Sequence, residues 1–164
     1  MIRRLGPAET AEYRALRLEG LRAAPAAFGA SFEAEAAQPL DWFAGRLTGS
    51  VVLGAFQDGA LVGTAGFHTA ASPKLHHVGH VVGVWVTPAA RRHGHARALV
   101  AGLAARASEA GLVCLRLRVT GGNGPALALY QSAGFTVYAT ERASLCVDGT
   151  LVDEHLMERF LRDP

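Results

Sequence analysis

The run Arg91-Arg92-His93-Gly94-His95-Ala96-Arg97 sets three arginines and two histidines around two small residues. It stands between a β-branched run ending at Val86 and an apolar pattern of helical period that Gly111 closes. The first amides of a helix have no internal partners, and together with the helix dipole they favour an anion. Small residues at Gly94 and Ala96 let phosphate oxygens approach the backbone, while Arg91, Arg92, His93, His95 and Arg97 can surround them. The expected ligand is a polyanion such as a pyrophosphate; a merely solvated Arg-rich helix start is the plainer alternative. No Gly-Lys-Ser or Gly-Lys-Thr is present to hold a terminal phosphate and magnesium, which disfavours a nucleoside triphosphate loop. A dinucleotide turn normally follows the first strand of a parallel unit, whereas this one follows a meander.

Outside this turn, His80 is a candidate base, because an imidazole with a pKa of about 6.5 accepts a proton near neutrality; it is equally open to the reading of an exposed strand histidine. Tyr130 is a candidate proton donor or a ring packed into the core. Asn123 can cap the helix that carries Tyr130. Lys74, His76 and His77 form a polar loop cluster that reads as solvated, and no metal site is expected. Cys114 and Cys146 each lie in a strand-like apolar run and read as reduced core thiols.

These residues must be positioned by the surrounding elements. Ile2–Leu5 reads as a strand, followed by a helix through Tyr13, Leu16 and Leu21, an Ala-rich stretch from Pro25 to Gln38 of ambiguous conformation, and a short helix from Pro39 to Leu47. Val51–Phe56 and Leu61–Phe67 flank Asp58-Gly59, a hairpin signal that recurs as Asp148-Gly149 between Thr136–Val147 and Leu151–Met157. Val78–Val86 is the fourth strand in chain order, the helix from about Gly94 to Ala110 follows, Leu112–Val119 alternates leucine and valine with Arg116 and Arg118, and Pro125 opens a helix that Gly134 ends. The order β-α-α-β-β-β-α-β-α-β-β describes one mixed α/β domain over residues 1–164, and its hairpins exclude a purely parallel sheet. The C-terminal hairpin, with Leu145, Val147, Leu151 and Val152, could cover its own core or pair with a second copy in a homodimer.

The composition agrees. The 164 residues are half apolar, enough for one core, and 16 Lys and Arg balance 14 acids, which implies neither nucleic acid nor an anionic membrane as partner. No run of 18 apolar residues and no signal-peptide pattern occurs, so a cytoplasmic protein is expected.

The segment Arg91-x-x-Gly94-x-Ala96, preceded by Val86-Thr87-Pro88, resembles the acetyl-CoA signature of the GNAT family of N-acetyltransferases. Asn123-x-x-Ala126-x-x-Leu129-Tyr130-x-x-x-Gly134-Phe135 matches every fixed position of the family's second signature. Lys74-x-x-His77-x-Gly79, Pro25-Ala26-Ala27-Phe28-Gly29 and Val152-Asp153-Glu154-x-x-Met157 extend the likeness over nearly the whole chain, toward one bacterial branch.

The resemblance implies a mostly antiparallel central sheet with helices on both faces. It also implies acetyl-CoA as acyl donor and direct transfer to a primary amine of a small molecule. A protein or peptide amine is the alternative acceptor, and a non-catalytic acyl-CoA sensor the alternative function. It places the pyrophosphate on residues 91–97, a backbone oxyanion donor in the Val84–Val86 region, the pantetheine arm near Asn123 and the leaving sulfur near Tyr130.

An amine with a pKa of about 10.4 costs roughly 4 to 5 kcal/mol to deprotonate at pH 7, so a base or a desolvating pocket is required. Relatives often carry Glu where this chain has His80. Glu33 and Glu35 are weaker candidates for the base, and Phe28 and Glu33 are expected to shape the acceptor site.

Overall fold

The computed structural model describes residues 1–163. Its strands are β1 (Ile2–Arg4), β2 (Val51–Gln57), β3 (Ala60–Thr69), β4 (Val78–Val86), β5 (Cys114–Thr120), β6 (Thr136–Val147) and β7 (Thr150–Phe160). Its helices are α1 (Thr10–Ala23), α2 (Phe32–Ala36), α3 (Leu40–Gly49), α4 (His95–Glu109) and α5 (Gly124–Ser132). The strands form one sheet in the order β1-β2-β3-β4-β5-β7-β6. Every described pairing is antiparallel except β4 with β5.

Local chemistry accounts for much of this. In the β2–β3 turn both central residues are left-handed, Asp58 at φ 51° and Gly59 at φ 82°. That backbone twist matches the twist of the flanking strands, and Asp148 (φ 48°) and Gly149 (φ 79°) repeat it between β6 and β7. The ambiguous stretch after Pro25 contains one helix more than the expected order: the Ser31 hydroxyl accepts from the Ala34 amide at 3.2 Å and starts the short α2. Pro39 caps α3 from outside rather than opening its first turn.

Alternation along the strands divides the core between the two faces. Leu53 enters a cluster with Leu99, Val100, Leu103, Leu115 and Met157 under α4. Its neighbour Val52 enters another with Leu5, Tyr13, Phe43 and Leu47 under α1 and α3. Burying each such side chain is worth about 1.5 to 3 kcal/mol.

One expectation fails at the sheet edge. Cys114 is buried, but Cys146 is exposed, on β6 at the edge of the sheet. In the same hairpin Leu145, Val147 and Val152 are half-buried, whereas Leu151 is 66% exposed. No helix is long and apolar enough to cross a membrane among the described residues.

Candidate active site

The single parallel pair is where the sheet opens. β4 meets β5 only at Val78–Cys114, Gly79–Leu115 and His80–Arg116. Beyond these, β4 runs on to Val86 beside β3, and β5 runs on to Thr120 beside β7, so the two strands part. Backbone groups on the facing edges of the gap have no strand partner and need another one. The β3–β4 register also shifts between Thr64 and Gly66, where Gly83 adopts φ 64°, a conformation that a side chain disfavours. The Thr64 hydroxyl donates to the Gly83 carbonyl at 3.3 Å and anchors this bulge.

After β4 the chain passes through Thr87-Pro88 to the basic turn. Arg91 does not simply point outward: its Nε donates to the Val86 carbonyl at 3.1 Å and its guanidinium lies 4.8 Å from the Trp85 ring. It ties the turn to the strand end. Arg92 takes φ 69° and Gly94 φ 79°, and Gly94 caps α4 without a side-chain hydrogen bond. The first amides of a 15-residue helix therefore face outward between a glycine and Ala96. A Cβ at Gly94 would meet nothing within 4 Å, so the approach is open. His93 lies 3.4 Å from the Ala90 carbonyl through Nδ1, and His95 pairs with Gln57 through Nε2 at 3.0 Å. Both imidazoles thus help hold the turn, while Arg92 and Arg97 are exposed beside it. This combination of open amides, small residues and exposed cations fits a pyrophosphate.

A cleft of about 790 Å³ lies at the parting of β4 and β5, and Val84, His80, Tyr130 and Phe28 all line it. His80 faces His68 directly across the β3–β4 ladder, and the two rings stack with centroids 5.5 Å apart. Partial burial first, and then the neighbouring His68, Arg116 and Arg118, which disfavour a further positive charge, hold the His80 pKa below its ordinary value. It is therefore neutral, and able to take a proton, at pH 7.

Tyr130 is 7% exposed, packs edge-on against Phe135 at 5.9 Å, and is pushed up to about 12 by burial. An ordinary phenol lies within about two units of a thiol near 8.5, which is what makes a tyrosine a candidate proton donor; here the gap is about 3.5 units, or roughly 5 kcal/mol. Tyr130 keeps its proton, and donating a hydrogen bond to sulfur is easier for it than outright transfer. Asn123 accepts from the Ala126 amide at 3.2 Å, so it does cap α5.

The acidic candidates separate. Glu33 is exposed and lies outside the lining of this cleft. Glu35 lines it, but both its oxygens are engaged, held by Arg17 at 2.9 and 2.7 Å and by Arg46 at 3.1 Å. Burial works to raise its pKa, yet the two guanidiniums outweigh burial and the net displacement is downward, which makes Glu35 a poor base. Phe28 packs against Trp85 at 6.3 Å, and the Trp85 indole donates to Glu19 at 3.2 Å. Lys74, His76 and His77 are all exposed, and the His76 ring bonds Thr69 at 3.0 Å.

Sequence reasoning gave no role in the cleft to Arg17, Arg46 or His68, nor to the β5 arginines with their acids. Arg118 lies between Glu141 and Glu154, and Arg116 bonds Glu158 at 3.3 Å. The one available signal was Arg116 and Arg118 alternating with core leucines, which marks a polar face without saying what it faces.

Comparison with known proteins agrees with this geometry. The model of the acetyltransferase (GNAT) family matches residues 17–135. An acetyltransferase of the GNAT family from Streptococcus pneumoniae superposes with a TM-score of 0.87 at 20% identity, covering 98% of each chain. A ribosomal-protein-alanine N-acetyltransferase from Brucella melitensis gives 0.82 at 24% identity, over 98% of this chain and 99% of its own. A phosphinothricin acetyltransferase from Sinorhizobium meliloti, solved with acetyl-CoA, gives 0.83 at 20% identity, over 98% and 87%. At these identities the likeness shows a shared fold. No curated protein matches the sequence.

Proposed function

The chain belongs to the GNAT family of acetyltransferases, and from that premise we propose that it moves an acetyl group from acetyl-CoA directly to a primary amine of a small molecule. The observation that carries this reading is the parting of β4 from β5, which opens a cleft lined by both His80 and Tyr130 and bounded by the strand that leads into a helix start with no side-chain cap. Acetyl-CoA supplies an activated thioester. The chain supplies position and proton traffic.

The amides at the start of α4, with Arg92 and Arg97, hold the pyrophosphate, and the gap between β4 and β5 takes the pantetheine arm. Unpaired amides of the Val84–Val86 stretch, re-aimed by the bulge at Gly83, receive the thioester carbonyl; a preorganised donor of this kind is worth about 3 to 4 kcal/mol. The N–C bond forms as the C–S bond breaks. The amine proton passes to neutral His80, directly or through water, while the departing thiolate takes a hydrogen bond from the Tyr130 hydroxyl and its proton from water. The same His80 environment that makes it neutral also makes it a weaker base, so desolvation of the amine must share the roughly 4 to 5 kcal/mol deprotonation cost.

Thiol release from acetyl-CoA, followed across a panel of amines, tests the proposal. Amine-dependent release supports it. CoA binding without release by any amine would favour a non-catalytic sensor, and release only with peptides would favour a protein acceptor.

A further inference from the structure

Arg17 projects from α1 and is only 7% exposed. Its Nε and Nη2 grip the two oxygens of Glu35, while Arg46 Nη1 adds a third bond to the same carboxylate. Two guanidiniums thus share one acid, and the assembly carries a surplus positive charge. Arg17 Nη1 makes no hydrogen bond to a described residue, and it lies beside the bulge, 3.5 Å from where a Cβ on Gly83 would sit. No fully buried side-chain nitrogen lacks a partner among the described residues, so Nη1 is not fully enclosed, and Arg17 is a lining residue of the cleft. A planar guanidinium held rigid on one edge and open on the other is a receptor for an oxyanion.

The opposite wall has the reverse balance. Arg118 is flanked by two acids, Glu141 and Glu154, and Arg116 is neutralised by Glu158. The cleft is therefore positive at the α1–α3 wall next to the bulge and negative toward β6 and β7. A polyamine would set a second cation against Arg17. A peptide N-terminus would offer Nη1 only a neutral carbonyl.

Resting on the acetyl-transfer reading above, we infer that the acceptor is a small amino acid, whose carboxylate binds Arg17 Nη1 beside Gly83 while its amine, a few bonds away, faces His80 and the thioester. Arg17 is then the residue that selects acid-bearing amines, with Glu35 and Arg46 as its positioning residues.

The test compares each amino acid of a standard panel with its carboxamide and its decarboxylated amine, measuring kcat/KM by thiol release. At least a tenfold preference for the best acids over both analogues is expected, and Arg17→Lys should collapse that ratio toward one with the KM for acetyl-CoA unchanged. A purely structural Arg17 would lower all three substrates alike and leave the ratio intact, which overturns the assignment. Amides or decarboxylated amines that react as well as the acids in the unmodified protein overturn it too, while leaving acetyl transfer standing. If no amine is acetylated, the transfer reading fails on its own. Calorimetric titration of the CoA-loaded protein with acid and amine then decides the inference: preferential binding of the acid, lost in Arg17→Lys, supports it, and equal binding overturns it.

Discussion

Glu35→Gln removes the charge that two guanidiniums share while keeping the side chain's size. Arg17 and Glu35 have side-chain exposures of 8% and 7%, so the variant leaves a desolvated cation facing a neutral amide; Arg46, at 28%, can still turn toward water. Removing one partner of a buried pair costs about 3 to 5 kcal/mol. The retained amide oxygen and the partial exposure of Arg46 place this case near the lower figure, about 3 kcal/mol, which for a chain of this size lowers Tm by roughly 6 to 12 °C.

The pH dependence has a definite sign. The Glu35 pKa is lower folded than unfolded, so its contribution is fully present above the unfolded value of about 4.3 and is lost as pH falls through the folded value. Urea unfolding followed by circular dichroism, from pH 8 down to pH 3, should show a constant gap between the parent and Glu35→Gln above about pH 4.5 that narrows below it. A gap under about 1 kcal/mol at pH 7, or one that does not narrow in acid, would refute the claim that the triad is a desolvated ion cluster.

Three further outcomes are expected. Because His68 is one of the neighbours that disfavour a positive charge on His80, His68→Ala should move the acidic limb of kcat/KM to higher pH, and NMR titration of His80 should follow it; in the parent the limb lies below about pH 6.5. Tyr130→Phe keeps the contact with Phe135 but removes the hydroxyl, so kcat should fall by about 10²-fold while Tm, read by calorimetry, changes little. Gly94→Ala meets no atom within 4 Å but forces a side chain into the left-handed region, costing about 1 to 2 kcal/mol; titration calorimetry should show CoA affinity falling with it, because the first turn of α4 must shift.

What could be read from residues alone was what short segments decide alone. Asp58-Gly59 and Asp148-Gly149 specify their hairpins because two left-handed residues suffice to turn a strand pair. The helix start at His95 and its stop at Gly111 follow from the chemistry of unpaired amides and a positive φ. The two signatures were legible because each is a short continuous segment, one in the turn that starts α4 and the other running along α5 from its cap at Asn123 to Phe135, and they lead to the family that the 17–135 match shows.

The acceptor end was not legible, since it is assembled across long gaps. Arg17 reaches Glu35 from 18 residues away, and Arg118 reaches Glu141 from 23. No periodicity records such meetings. Nor could composition reveal that β6 lies at the sheet edge and exposes Cys146, or that burial lifts Tyr130 to about 12. Desolvation and charge balance belong to the space around a group rather than to its neighbours in the chain. Local sequence therefore determined the glycine-started helix turn on which the proposed polyanionic donor rests, and only the tertiary structure decided which charges meet in the cleft proposed to receive its acetyl group.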